Sequence, residues 1–374
     1  MKSSCKVLVP RGTRTNGGGT IQKLAAHSKD RKEPKFSLRL GTTTSVDIAR
    51  EAKVSQSTVS LVLNGRDAGR VSRVTRERIQ RIASQMGYQP HAAARALKMS
   101  RSHVLALVVP DVSNPFFARV LGGAEREART LGYALVLAGA GEDEQWEREA
   151  IRDLASHAID AFAVWAINYR PSPRLNGVAE KIVLIEASSP GIPSLHLDVG
   201  AGTALAIQHL LDLGHRRIGH LAMQVESPTF RKRRKVFKEI ASKAGLADIF
   251  ELTRSSSFSL TDAHRRALEL LQLPNRPTAI FCDDDLLATG VYKAARDLKL
   301  AIPRDISVVG FNDGDIALIL EPALTTVAIP AESFGARIVR RLVSLLEGMP
   351  DSDSHSEALS LQVRASTASP LRTR

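Results

Sequence analysis

The chain has 374 residues, too many for one ordinary domain and suited to two or three. Apolar residues make up 43% of it and aromatic ones only 5%, so aliphatic side chains must fill its cores. No run approaches the roughly 20 apolar residues of a membrane helix, the N-terminus lacks the apolar stretch of a signal peptide, and Cys5 and Cys282 share no disulfide or zinc spacing. Membrane, exported and zinc-framework classes are set aside on these grounds, and a cytoplasmic location is expected. The net charge of +13 is concentrated: residues 1–102 carry 21 Lys/Arg against 6 Asp/Glu, the remainder 31 against 33. A basic head on a nearly neutral body points to a nucleic-acid or acidic-surface partner for the head alone.

Residues 1–42 are rich in Gly, Ser, Thr, Lys and Arg without a hydrophobic period, and read as a basic, disordered N-terminal extension. Over 43–87 three short helices are expected. Thr44 with Asp47 at N3 caps the first, ahead of the apolar Val46, Ile48, Ala49 and Ala52. Ser55 caps the second, which Asn64-Gly65 stops. Ser72 caps the third, whose apolar side is Val74, Ile79, Ile82 and Met86, and Gly87 follows its end. Residues 88–102 read as a hinge helix and linker, with Pro90 suited to a first helical turn. From 103 to 370 strand-length apolar runs alternate with helix-length segments, beginning with 104–109 then 117–131 and ending with 306–310 then 332–346. That alternation predicts a doubly wound α/β architecture in two lobes with parallel sheets, and a ligand cleft between the lobes at the carboxyl ends of strands.

The segment Val46–Asn64 carries the first functional motif. Ala49 is small where two helices must approach, Val54 fills the turn, and Val59, Val62 and Leu63 face the inside of a three-helix core. Gln56, Ser57, Ser60 and Leu61 are left pointing outward from the second helix. A short helix with such a face can enter the major groove, where Gln56 can bond an adenine edge and Leu61 can pack on a thymine methyl.

The segment resembles the head of the LacI/GalR family of bacterial repressors. Val46, Asp47, Ile48, Ala49, Ala52, Val54, Ser55, Thr58, Val59, Ser60, Leu63 and Asn64 meet the family's first pattern. Arg70, Val71, Ser72, Thr75, Arg76, Arg78 and Ile79 meet the second, and Gly87, Tyr88, Pro90, Ala94, Arg95 and Leu97 the third. Further matches run through the body at Pro110–Phe117, Leu213–Ile218, Cys282–Gly290, Ile302–Phe311 and Pro322–Thr326, and extend the likeness to about residue 368. The resemblance implies a small all-α helix-turn-helix DNA-binding head joined to a two-lobed sensor domain like the periplasmic sugar-binding proteins. It implies a homodimer on a pseudo-palindromic double-stranded operator. DNA contacts would come from Thr44, Ser55, Gln56, Ser57, Thr58, Ser60, Leu61, Asn64, Arg70, Tyr88 and His91, and from Ala94, Arg95, Leu97 and Lys98 of a hinge helix whose leucine wedges into the minor groove. An effector pocket would be formed by Phe116, Phe117, Trp165, Glu186, Thr229, Arg233, Phe258 and Asn312. Gly214 and Gly310 are expected at turns.

The chain departs from the family at several of these positions. Asn312 stands where the family usually has Asp, and five basic residues, Arg231 to Lys235, surround the expected effector arginine. The effector expected is therefore a sugar or sugar derivative, with an anionic one among the candidates. Two alternatives stay open: a DNA-binding regulator with a degenerate, effector-independent sensor, and a solute-binding protein. An enzyme is not expected, since no nucleophile elbow, P-loop or GxGxxG is present and Asp283, Asp284 and Asp285 diverge in direction. No cofactor, metal or membrane partner is expected.

Overall fold

Thr44 caps the first helix of the head reciprocally: its hydroxyl accepts from Asp47 N at 3.3 Å, and the Asp47 carboxylate accepts from Thr44 N at 3.0 Å. Helix α1 (Ser45–Ala52) follows, then α2 (Gln56–Leu63) capped by Ser55 and α3 (Arg73–Gln85) capped by Ser72. Lys53 ends α1 in the left-handed region at φ 52°, so α2 starts after a three-residue turn. The described residues of this computed structural model are 43–88, 101–139, 159–165, 179–246, 250–349 and 356–371. The expected extension 1–42 and most of the expected hinge, including His91, Ala94, Arg95, Leu97 and Lys98, lie outside them, as does the helix expected at 145–157.

The three helices bury one small core. Ile48, Val59 and Ile79 are fully buried, Ala49, Ala52, Val62 and Ala83 nearly so, and Val54, Leu63, Ile82, Met86 and Tyr88 close its edge. Each large aliphatic side chain so buried contributes about 1.5–3 kcal/mol. Val46 and Val74, expected on the apolar sides, are instead 45% and 75% exposed. Val74 stands five residues before Ile79, about 140° around the helix from it, so it cannot share the buried stripe.

The chain divides between Gln89 and Pro90 into two compact units. The second holds two parallel-based sheets. The first runs β2 (Ala134–Gly139), β1 (Val104–Val109), β3 (Ala161–Trp165), β4 (Ile182–Ile185), β5 (Ser194–Leu195) in spatial order. The second runs β11 (Ser360–Gln362), β10 (Thr325–Ala328), β9 (Ser307–Asn312), β8 (Ala279–Cys282), β6 (Ile218–Met223), β7 (Thr253–Ser256). All pairings are parallel except β10 with β11.

Helices α4 (Pro115–Thr130) and α10 (Ala331–Leu346) pack on each other beside the first sheet, and α5 (Val199–Asp212), α6 (Pro228–Lys243), α7 (Leu260–Leu271) and α8 (Asp285–Asp297) cover the second. A Cβ at Gly335 would collide with the Val120 carbonyl, so the α4–α10 crossing requires glycine there. Strand β1 is buried along its length except at Val104, and β3, β4, β6 and β8 are wholly buried, as expected of sheets covered on both faces.

Four elements escaped the pattern reading. Strand β7 has the sequence TRSS, without an apolar period, and sits on an edge. Strand β10 fills interior positions with Thr325 and Thr326, both fully buried because their hydroxyls are bonded, Thr325 to Thr367 and Thr326 to Asp285. Strand β11 and helix α9 (Asp315–Ile319) are only three and five residues long. Gly310 is not at a turn but inside β9, where a Cβ would strike the Asp285 carboxylate; Gly214, at φ 97°, is at one.

Candidate functional site

On the head, α2 presents a polar ridge. Gln56 and Ser57 are exposed, Ser60 and Leu61 half-buried. Gln56 Nε2 donates to Ser45 Oγ at 3.1 Å, which stands its amide at the N-terminal end of α2. Several other expected contact residues have structural duties. The Ser55 hydroxyl accepts from Thr58 N and lies within 2.8 Å of both the Ser57 and Thr58 hydroxyls. Thr44 caps α1. Asn64 Nδ2 donates to the Ser60 carbonyl at 2.6 Å, closing the end of α2. Arg70 is exposed, and Tyr88 packs against the head core. The side chains that α2 turns outward are thus Gln56, Ser57, Ser60 and Leu61, with the capping groups holding that helix in place.

In the second unit a cavity of about 100 Å³ opens between the lobes at the carboxyl ends of β1, β3, β6, β8 and β9. One lobe supplies rings. Asn114 caps α4 by accepting from Phe116 N at 2.9 Å, and Phe116 and Phe117 then meet Trp165 edge-on with centroids 5.4 and 5.1 Å away. The other lobe supplies Thr229, Phe230, Arg233, Phe258, Asp284 and Asn312. Of the eight expected pocket residues, seven line this cavity. The eighth, Glu186, stands behind Thr229, accepting from its hydroxyl at 2.9 Å and from Leu197 N at 2.5 Å.

Beneath the cavity lies a buried charge network that the residue pattern did not disclose. Asp283 accepts from Met223 N at 2.8 Å and lies 3.1 Å from His220 Nε2. Burial pushes this carboxyl up, but His220 and Arg233 outweigh it and hold it below the ordinary range. Asp284 takes the Asn312 Nδ2 donor at 2.6 Å and the Leu286 amide at 2.8 Å; burial nevertheless pushes it up to about 6. Asp285 accepts from Thr326 Oγ1 at 2.6 Å and Gly314 N at 2.8 Å, and burial with the neighbouring Asp284 pushes it up to about 7.

Arg233 is 3% exposed. Its guanidinium carbon lies 3.5 Å over the Phe311 ring centroid, Nη1 donates to the Asp283 carbonyl at 2.5 Å, and Nε has no hydrogen-bond partner among the described residues. The three aspartates do diverge, as expected, each toward a different partner. The one sequence signal for them was a carboxylate run directly before a helix, where Asp284 is the N-cap.

The basic run around Arg233 does not charge the cavity. Arg231 donates to the Glu226 carbonyl, Arg234 to the Met223 carbonyl and the Glu226 carboxylate, and Lys235 pairs with Glu239 at 3.8 Å. Of the five basic residues only Arg233 lines the cavity, beside Asp111 and Asp284, so the charge argument for an anionic effector fails. Among the described residues no group of side chains has a metal-binding arrangement, and no helix is long and apolar enough to cross a membrane.

Two stretches match family models: residues 45–91 match the bacterial regulatory proteins of the lacI family, and 207–367 match the periplasmic binding protein-like domain. The transcriptional regulator DegA of Bacillus subtilis is 33% identical over 301 residues, covering 79% of this chain and 88% of DegA. The ribose operon repressor of Halalkalibacterium halodurans is 32% identical over 328 residues, covering 87% of this chain and 97% of that repressor. Among solved structures, the lac repressor dimer bound to operator and the anti-inducer ONPF matches with a TM-score of 0.79 at 24% identity, over 88% of this chain and 100% of that one; at that identity the likeness is one of fold. With identity above 30% over most of its length and most of theirs, the chain belongs to the LacI family of DNA-binding transcription regulators.

Proposed function

We propose that the protein is a repressor that binds a pseudo-palindromic operator as a homodimer in the cytoplasm, and that a sugar or sugar derivative in the inter-lobe cavity sets its operator affinity. It is a binding protein rather than an enzyme. The observation that carries the effector reading is the mixed lining of the cavity, where the rings of Phe116, Phe117 and Trp165 on one lobe and Phe230 and Phe258 on the other enclose the polar Thr229, Arg233, Asp284 and Asn312. A pyranose or furanose offers an apolar face to the rings and adjacent hydroxyls to the planar polar groups. The ribose operon repressor among its relatives supports the same ligand class. Acid at the cavity, with one cation, favours a neutral, donor-rich ligand over an anionic one. Binding in the cleft acts by favouring one lobe angle, and the hinge at 88–102 carries that bias to the heads.

The test is selection of bound sequences from a random DNA pool at a stated salt concentration, followed by melting of the protein with a panel of neutral and phosphorylated sugars. A palindromic site, and a rise in melting temperature with a neutral sugar, is the expected outcome. Salt-sensitive binding without any motif defeats the operator reading, and a panel in which only phosphorylated sugars bind defeats the ligand class.

A further inference from the structure

Among the described residues beside the cavity, two side chains donate hydrogen bonds from one lobe to the other. One is Thr229, to Glu186. The other is Arg119, on α4, whose Nη1 donates to the Asp313 carbonyl at 2.7 Å and the Asn312 carbonyl at 3.4 Å. Successive carbonyls of an extended strand point to opposite sides. Here β9 ends with Asn312 at φ 112° and Asp313 at φ 53°, and this left-handed pair lets both carbonyls face one guanidinium.

The acceptor is also fixed from behind. Asp313 Oδ1 accepts from Arg364 at 2.6 Å, and Arg364 is itself tied to the Leu324 carbonyl and, through its amide, to Thr325. Asn312 thus has two faces: its side chain donates to Asp284 at the cavity wall, and its carbonyl receives the arm of the opposite lobe.

We propose that Arg119 is a positioning residue, a latch that holds the lobes closed and is coupled to the cavity through Asn312. The coupling rests on the reading of that cavity as the effector site; the latch itself does not. A ligand that engages the Asn312 amide or the Asp284 carboxylate competes for the bond between them. It thereby alters a residue whose carbonyl also faces Arg119, next to the shorter bond to Asp313, so occupancy and lobe angle change together.

The full-length protein tests this without knowledge of the effector. The chain has two tryptophans, and a Trp146→Phe background leaves Trp165, in the cavity wall, as the sole reporter. Arg119→Met keeps the apolar stem and removes the donors. It is expected to raise the acrylamide quenching constant of Trp165 by about twofold, as the closed population falls. Arg126→Met, which breaks an exposed ion pair to Glu332 within a single lobe, is expected to leave it unchanged. Arg119→Lys restores one donor and is expected to fall between wild type and Arg119→Met.

Asn312→Asp removes the bond to Asp284. It is expected to raise quenching as Arg119→Met does, with the double variant no worse than either single one. Unchanged quenching in Arg119→Met, or an equal rise in Arg126→Met, overturns the latch; strictly additive effects of the Asn312 and Arg119 substitutions overturn the coupling. If Arg119→Met opens the cleft while no sugar of the panel shifts the melting temperature, the latch is upheld and the effector reading falls.

Discussion

In the head, Gln56 and Ser57 lie in solvent on a helix held by caps and a handful of aliphatic side chains. In the cleft, Arg233, Asp284 and Glu186 are each no more than 6% exposed and are bonded to one another's neighbours. The two kinds of site divide recognition from stability differently. A base-reading side chain can change with little effect on the fold beneath it. A cleft residue cannot, because the groups that would meet a ligand also neutralise or hydrogen-bond the interior of the lobe.

The largest expected effect follows from that difference. Arg233→Met removes the buried guanidinium that faces Asp283, Asp284 and Glu186 and leaves Asp284 and Glu186 without it, while Asp283 keeps only His220. Removing one partner of a buried charged set costs about 3–5 kcal/mol. Chemical denaturation of the full-length protein should show that loss in the sensor transition, with binding to nonspecific DNA retained. A loss below about 1 kcal/mol would mean that Arg233 is solvated in solution and that the cleft residues are as separable from the fold as those of the head.

Ile48→Ala makes the reciprocal test in the head. Ile48 is fully buried in a core of only seven buried side chains, and truncation there costs about 2–4 kcal/mol. Operator binding should be lost at growth temperature while the sensor melts as in the wild type. A shift of the sensor transition by the same amount would show that the two units do not unfold separately.

A third effect, on the order of 2 kcal/mol, depends on pH. Burial and Asp284 push Asp285 up to about 7, above its value of about 4 in an unfolded chain. The folded protein therefore holds a proton that the unfolded chain releases first. This contribution is full below about pH 4, declines as pH rises through the folded value near 7, and is gone above it. Melting at pH 5.5 and pH 8 should differ for this reason, the lower pH favouring the sensor. Asp285→Asn should flatten the difference, since its amide can donate to Thr326 while its oxygen still accepts from Gly314 N. An unaltered slope in that variant would assign the pH dependence elsewhere.

Much of this was legible in the residues because the head and the strand–helix alternation obey local rules. Thr44, Ser55 and Ser72 as caps, the strand 104–109 and the helix 260–271 each follow from side-chain chemistry within a few positions. What was not legible depends on partners far along the chain. Thr325 and Thr326 form a buried strand only because their hydroxyls bond Thr367 and Asp285, and Gly310 is needed for a carboxylate 25 positions away in sequence. The basic run at 231–235 looked like one electrostatic feature. A helix distributes successive residues around its axis, so one entered the cavity and its neighbours met Met223, Glu226 and Glu239. The Arg119 latch left no local trace at all, since its acceptors are backbone carbonyls.

The smallest effect is the one that most sharpens the contrast between the two regions. Gln56 is exposed, and among the described residues its side chain bonds the half-buried Ser45 hydroxyl. Gln56→Ala should therefore change the melting temperature of the head hardly at all. A bidentate contact from such a side chain to a base edge is worth about 1–3 kcal/mol of discrimination, and sharing its amide with Ser45 places Gln56 toward the lower end, near 1 kcal/mol. Repeating the selection from random DNA with this variant should relax the preference at one position in each half-site and leave the others intact. Uniform weakening across all positions would instead assign Gln56 to backbone contact, and base reading would then pass to Ser57, Ser60 and Leu61 of the same helix.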